Sequence, residues 1–464
     1  MRITKILRTF AVKTLETLKK PLIILFLILV ATVRCVAYDF KQGNIFYNIL
    51  SDSEPYIVEV TSKQPELPYN DGVTSSTIHI PDSVTNQGIT YTVSAIGDCA
   101  FYGCTTLTHV IIPKSVTDIG AEAFEACTSL LSLEIEDGNP IYDSRDSCYA
   151  IIHSATNTLI AGGASSTIPS SVTQIAEGAF RLRTALTSIT LPDSILRIGE
   201  EAFYGCSQLQ SIYIPSRLDY IGQAAFGSCP SIQSIIVAQD NNTFDSRDNC
   251  QAIISTHDST LVAGCQRTEI PSSVLAIGDA AFEGCSTLVN IQLPEHLTSI
   301  GWAAFYGCVS LTDICIPSRV SHIGSWAFSG CEKLRSIQVV EGNPIYDSRD
   351  KCDAIIHTAT GQLIAGCKST KIPKDITTLG WTAFEMQNKI TALKIPDNIT
   401  HIEAWAFNQC ATLKTITLPS QLTQIGKSIF DGCRKLKKII VPKGQKDAYC
   451  ALGLEEYRKI IKER

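Results

Sequence analysis

Apolar residues recur along most of the chain on a beat of 23 residues. The pattern Ile-Gly-x-x-Ala-Phe, with single substitutions, begins at Ile96, Ile119, Ile175, Ile198, Ile221, Ile277, Ile300, Ile323, Leu379, Ile402 and Ile425. The spacings are 23, 56, 23, 23, 56, 23, 23, 56, 23 and 23. Five residues after each start stands a phenylalanine, from Phe101 to Phe430, in all eleven units. Eight residues after it stands a cysteine in nine units, with Arg183 and Gln387 as the exceptions. Fourteen and sixteen residues on, every unit carries Ile, Leu or Val, and Pro usually follows.

This beat predicts one short strand per unit. In Ser211-Ile212-Tyr213-Ile214-Pro215 every second side chain is apolar, which is the mark of a half-buried strand. Proline ends it, having no N–H to give to a ladder. The Ile-Gly-x-x-Ala-Phe-x-x-Cys stretch then turns back with Ala, Phe and Cys pointing inward. Ordering 23 residues costs about 1–2 kcal/mol apiece in backbone entropy alone. The few apolar groups of one unit cannot offset that, so the units must stack. The expected fold is a repeat solenoid of short parallel strands, mostly β and irregular coil with short helical turns.

Each 56-residue gap is one unit plus 33 further residues. The additions resemble one another, through Tyr142-Asp143-Ser144-Arg145-Asp146, Phe244-Asp245-Ser246-Arg247-Asp248 and Tyr346-Asp347-Ser348-Arg349-Asp350, and recur every 102 residues. They are expected to add coils or small hairpins to the array. Their paired carboxylates are the best calcium candidates in the chain. The intervening arginine and the wide spacing favour instead a turn closed by a local ion pair.

The pattern Pro-x-x-Val-Thr-x-Ile-Gly-x-x-Ala-Phe, as in Pro113-Lys114-Ser115-Val116-Thr117-Asp118-Ile119-Gly120 through Ala123-Phe124, resembles the BspA-like, or treponemal-type, leucine-rich repeat. The resemblance spans about residues 76–442 and implies a leucine-rich-repeat solenoid with longer variant units. It further implies a surface or secreted protein of a host-associated microbe, with adhesion to host matrix proteins or to other microbes as the expected role. Repeat scaffolds carry many partners on one architecture, so it says less about the ligand.

The flanks depart from the beat. Residues 1–37 carry a basic start (Arg2, Lys5, Arg8, Lys13, Lys19, Lys20), the apolar run Leu22 to Val33, and Cys35-Val36-Ala37. The run is short of the roughly 20 residues a span needs, and its flanks match a signal peptide cleaved after Ala37, the alternative being an uncleaved anchor. Residues 38–75 read as an N-terminal β cap with strands at Phe46–Ile49 and Tyr56–Val60. Residues 443–464 read as a C-terminal helical cap, an amphipathic helix from Lys446 with Tyr449, Leu452, Tyr457, Ile460 and Ile461 on one face. The mature chain is thus expected to be secreted or held at the cell surface, monomeric, and without a membrane span.

Composition narrows the function classes. The net charge is −6 and only 18% of residues are charged, so there is no basic footprint for nucleic acid. Eighteen cysteines in an exported chain would ordinarily suggest disulfides. Here nine share one inward repeat site, Cys148, Cys250 and Cys352 share another, and Cys265 and Cys367 a third, with Gly163 in the remaining copy. Such regularity points to small buried hydrophobes with reduced thiols. No Cys-x-x-Cys zinc spacing, His-Glu-x-x-His, phosphate loop or nucleophile elbow is present, so no cofactor and no catalytic role are expected. His153 and His357 read as surface residues at strand ends.

Two features bear on a partner. Outward strand sites carry small or uncharged residues, Ser132, Ser188, Ser211 and Ser234 at one and Thr190, Tyr213, Gln292 and Thr417 at another, suited to hydrogen-bonded contact with a protein or glycan. The sharper feature is that all four tryptophans, Trp302, Trp326, Trp381 and Trp405, fall two or three residues after a repeat start. Other units place Asp98, Glu122, Glu200 or Lys427 there. Either these indoles pack between neighbouring coils, or they form an exposed ligand-binding patch, joined by Tyr306. A host or microbial surface protein or glycan is the expected ligand. The competing role is a structural spacer with no specific ligand.

Overall fold

The computed structural model describes residues 38–63 and 75–464. The expected signal segment, 1–37, lies outside the described residues. No helix among the described residues is long and apolar enough to cross a membrane.

The chain forms a β-solenoid in which the sequence period is the strand register. Ser211–Ile214 pairs in parallel with Ser234–Val237, Ser211 opposite Ser234 and Ile214 opposite Val237. Along Ser211–Ile214 side chains alternate exposed and buried, as the apolar alternation requires. A second ladder is built from the two-residue strands that open each repeat: Gln174–Ile175, Arg197–Ile198 and Tyr220–Ile221 stack in parallel. In nine units a glycine follows the leading residue, Ala176 and Glu403 being the exceptions, and within the stack it lets neighbouring coils approach closely. A Cβ on Gly199 would stand 2.4 Å from the Glu177 backbone nitrogen.

All eleven repeat phenylalanines are buried, and they stack nearly face to face. Phe180, Phe203 and Phe226 have centroids 5.1 and 5.5 Å apart, Phe282, Phe305 and Phe328 5.2 and 5.6 Å apart. Phe101 with Phe124, and Phe384 with Phe407 and Phe430, form the remaining stacks. The column is therefore four stacks, interrupted at each long segment.

The repeat cysteines have a second role beside filling space. The Cys206, Cys229, Cys308 and Cys331 thiols each donate to the carbonyl of the phenylalanine 26 residues earlier, Phe180, Phe203, Phe282 and Phe305, at 3.1–3.3 Å. All seventeen described cysteines are free thiols, fifteen of them buried, with Cys99 partly exposed and Cys315 exposed. Burial pushes the Cys285 and Cys331 thiols up to about 12, which keeps them protonated and inert.

Each long segment is a β-hairpin woven into the stack. Tyr142–Asp143 pairs antiparallel with Ala150–His153, which pairs antiparallel with Thr158–Gly162. Thr158–Gly162 then runs parallel to Gln174–Ile175 of the next unit. The Asp-Ser-Arg-Asp turn is closed by an ion pair: Arg145 Nε donates to Asp143 Oδ1 at 2.7 Å, and the other copies repeat it through Arg247 with Asp245 and Arg349 with Asp347. Burial pushes the Asp143 carboxyl up, but hydrogen bonds from Arg145 and Ser154 outweigh it and hold the group below its usual range. Asn139, repeated 102 residues on as Asn241 and again as Asn343, ties the segment down by donating to the Val116 carbonyl at 2.7 Å while accepting from Ile141 and Tyr142 N–H. His153 and His357 end their strands and pack edge-on against Tyr142 and Tyr346.

The hairpins supply strands but no Ala-Phe turn, so at each long segment the turns on either side meet directly. Ser228 N–H donates to Glu283 O at 2.7 Å, and Gly330 N–H to Glu385 O at 3.3 Å. The first and third seams are followed by the two exceptions at the cysteine site, Arg183 and Gln387, whereas the second keeps Cys285. They also need glycine: a Cβ on Gly162, Gly264 or Gly366 would lie 2.2–2.4 Å from the ring of Phe180, Phe282 or Phe384. Gly163 replaces the cysteine of the other copies because a Cβ there would stand 2.3 Å from Leu131 O.

Phe40–Gln42, Ile45–Ser51 and Ile57–Thr61 form consecutive antiparallel pairs, and Ile57–Thr61 runs parallel to Ile89–Ile96, the first repeat strand. At the other end the expected long helix is absent. The α-helix spans only Lys446–Tyr449, and Gly453, with φ 129°, breaks its continuation. Ile461–Glu463 instead adds a parallel strand to Lys438–Val441. Tyr449, Leu454 and Ile461 are buried against the last coil, while Leu452 and Ile460 are only partly covered. The apolar positions taken for one helix face thus serve a helical turn and a strand.

Candidate functional site

The residue three after each repeat start adopts a left-handed backbone whatever its type: φ is 52° at Ala224, 50° at Ala303, and 58° at both Trp326 and Trp405. This conformation is unfavourable for a bulky residue. It sets the side chain at the edge of the turn, where a small residue such as Ala303 is buried and the larger Trp326 and Trp405 reach partly into solvent. Trp302 and Trp381 stand one residue earlier on the same edge.

The turn edge gathers all four tryptophans of the chain. Trp302 meets Trp326 edge-on at 5.7 Å. Trp326 meets Trp381 across the third seam at 4.6 Å and Trp405 at 5.9 Å, and Trp381 lies 5.0 Å from Trp405. The cluster bridges the seam, yet Trp302 remains 40% exposed and the others are half-buried. The indoles therefore pack on one another between coils while offering faces to solvent. Trp302, Trp326 and Trp405 line a groove of about 730 Å³ together with Tyr204, Tyr306, Glu200, Glu283 and Glu385. Behind Trp326 and Trp381 lies a smaller cavity of about 220 Å³, walled also by Glu385, Gln387 and Glu403. Tyr306 sits in the groove with its hydroxyl 3.1 Å from Met386 Sδ.

The acidic members were not legible as a group in the sequence. Glu283 and Glu385 occupy one repeat position in successive blocks, and both are buried. Burial raises the Glu283 carboxyl above its usual range, partly opposed by the Tyr204 hydroxyl donating at 2.7 Å. Burial pushes Glu385 up to about 7, although Trp326, Ser329 and Asn408 donate to it. Ion pairs in the groove, among the described residues, are those of Arg181 with Glu125 and Glu201, each at 3.0 Å. The Arg181 guanidinium also lies 5.4 Å from the Tyr204 ring centre. The groove thus sets aromatic faces beside acceptor-rich walls.

Of the outward strand residues, Ser211, Tyr213, Ser188, Thr190 and Gln292 are exposed and Ser234 and Thr417 partly so. Ser132 is buried: the first hairpin covers its strand, the Leu133 N–H donating to Tyr149 O at 3.1 Å. No group of three or more metal-ligating side chains with suitable placement occurs among the described residues.

No curated protein matches this sequence. Among solved structures, a leucine rich cell surface protein from Faecalibacterium prausnitzii is 26% identical, covering 89% of this chain and 97% of its own, with a TM-score of 0.42. A leucine-rich repeat protein from Bacteroides ovatus is 26% identical over 92% of this chain and 98% of its own, with a TM-score of 0.32. One from Eubacterium ventriosum is 19% identical over 84% and 93%, with a TM-score of 0.45. The family model for the BspA type leucine rich repeat region matches residues 76–163, 163–253, 263–349 and 363–449, and with most of its length so matched, the chain belongs to that family.

Proposed function

We propose that this is a secreted or cell-surface recognition protein that binds a host or microbial surface protein or glycan through its tryptophan groove, without catalytic turnover. One observation carries the reading: four indoles from four different units form one cluster with contacts of 4.6–5.9 Å, and three of them line a groove of about 730 Å³. The solenoid does not need them there, because other units hold the same turn with Asp, Glu, Ala or Lys. Tryptophan clusters that are partly open to solvent are where binding energy concentrates. Export is supported by the basic and apolar start of the chain, and the residues before and after the array are read as caps that shield its ends.

The test is retention on immobilised host matrix proteins and on a glycan array, comparing the wild type with Trp326→Ser/Trp405→Ser. Specific retention that the double variant loses while keeping its β-rich circular dichroism supports the reading. Unchanged retention in a folded variant removes the groove from it. No specific retention of the wild type favours the spacer role, whose support is the long unbroken array itself.

A further inference from the structure

The three seams are built alike, yet their interiors are filled differently. In the first, Arg183 is buried and each of its three guanidinium nitrogens donates to a carbonyl: Nε to Gly162 at 2.7 Å, Nη1 to Arg181 at 2.9 Å and Nη2 to Phe124 at 3.0 Å. Beside it Arg181 answers Glu125 and Glu201. In the third seam, 204 residues on, these two arginines are replaced by Glu385 and Gln387. There the cavity of about 220 Å³ stays open. Gln387 is only 2% exposed, and its Oε1 has no hydrogen-bond partner. Glu403, another wall of the cavity, has a carboxylate oxygen 2.9 Å from the Trp381 N–H. No arginine or lysine lines this cavity.

We propose that the third seam is a receptor for an arginine side chain of the bound polypeptide, its guanidinium taking the place that Arg183 fills in the first seam. The inference rests on the tryptophan groove being the binding site, and it selects a protein ligand over a glycan. Guanidinium chemistry fits on three counts. It stacks on indole faces, here those of Trp326 and Trp381. It carries donors only, matching acceptors on Glu385, Glu403 and Gln387. It is weakly hydrated, so it enters a half-closed cavity at lower cost than an ammonium. Leaving a buried amide oxygen unpaired is unfavourable, and a donor from the ligand removes that defect.

Trp326 and Trp381 line this cavity and the other two tryptophans of the chain, Trp302 and Trp405, contact Trp326, so intrinsic fluorescence reports on it directly. The full-length mature chain is titrated at pH 8, where Glu385 is mostly ionised, with acetyl-Arg-Gly-Arg-amide, its citrulline counterpart, the lysine counterpart and maltohexaose. The arginine peptide should give a saturable change. Citrulline, matched in shape but uncharged, should need about tenfold more peptide or worse, as should Glu403→Gln. Gln387→Arg should fold, fill the cavity from within and abolish the response. Gln387→Cys, the ordinary repeat residue, is the milder companion variant and should weaken it. Equal responses to arginine and citrulline, an undiminished response in folded Gln387→Arg, or saturation by maltohexaose alone would each overturn the inference. If the peptide fails while Trp326→Ser/Trp405→Ser still abolishes retention on matrix or glycan, the arginine receptor falls and the groove stands. If that double variant keeps its retention, the groove reading falls instead.

Discussion

The block that begins at Ile198 and the block that begins at Ile300 have the same backbone and different faces. Phe203 stacks on Phe226 at 5.5 Å, and Phe305 on Phe328 at 5.6 Å. The thiols of Cys229 and Cys331 reach their phenylalanine carbonyls at 3.1 and 3.3 Å. On the turn edge, however, Glu200, Ala224 and Asp279 of the earlier block become Trp302, Trp326 and Trp381 in the later one, and Ala303 is answered one period on by Trp405. The left-handed angle changes only from 52° at Ala224 to 58° at Trp326. An inward side chain is constrained by two neighbouring coils at once, so it varies little. An outward one at the turn edge is constrained mainly by its own backbone, so selection for a ligand can act on it.

That contrast can be broken from inside first. Phe305→Ala should cost about 3–5 kcal/mol, because a ring stacked on both sides leaves a cavity that rigid coils cannot close; chemical denaturation would show it, and a loss below about 1 kcal/mol would mean the column is not the core. Next, moving the earlier face onto the later block, as Trp302→Glu, Trp326→Ala, Trp381→Asp and Trp405→Ala together, should leave the circular dichroism unchanged. Ligand retention should fall by roughly 30-fold or more, the scale of a lost hot spot, and a collapse of secondary structure would show that the indoles are structural instead.

Glu385 gives a smaller, pH-dependent effect. Its carboxyl is raised by burial to about 7 from 4.5, so the folded chain holds its proton more tightly than the unfolded one. That contribution is complete below pH about 4.5 and is lost as pH rises through about 7. Glu385→Gln should remove this slope and gain on the order of 2 kcal/mol over wild type at pH 8; parallel pH–stability curves for the two proteins would refute it. Smallest of all, Cys308→Ala should cost about 1 kcal/mol for one thiol hydrogen bond and a little packing. In the native protein, alkylation followed by mass mapping should modify Cys315 first and leave Cys308 and Cys331 untouched.

Much of the fold could be read from the residues. The 23-residue beat returned as the offset between paired strands, and the alternation in Ser211–Ile214 as alternating burial. The Asp-Ser-Arg-Asp turns closed on their own arginines, since an acceptor and a donor two residues apart need no distant partner. The C-terminal helix was misread because apolar spacing near 446–461 suits a helical turn followed by a strand as well as one helix, and Gly453 settles the choice. Ser132 was placed outward by its repeat position, but the long hairpin that follows it in the chain folds back over its strand. Gln387 stood out as an exception at the cysteine site without any hint of what it faces.

Local sequence, then, specified the coil, its inward residues and the order of stacking, because each coil answers only to its nearest neighbours and the period carries that rule from one to the next. The meeting of Trp326 with Trp381 was decided in three dimensions. They are separated by a long segment whose path no periodicity describes, and only when that hairpin supplies strands without a turn do the flanking edges come together, leaving a cavity lined by Glu385 and Gln387 between them. A site at a seam depends on where the inserted chain goes, and its route is set by packing against coils on both sides.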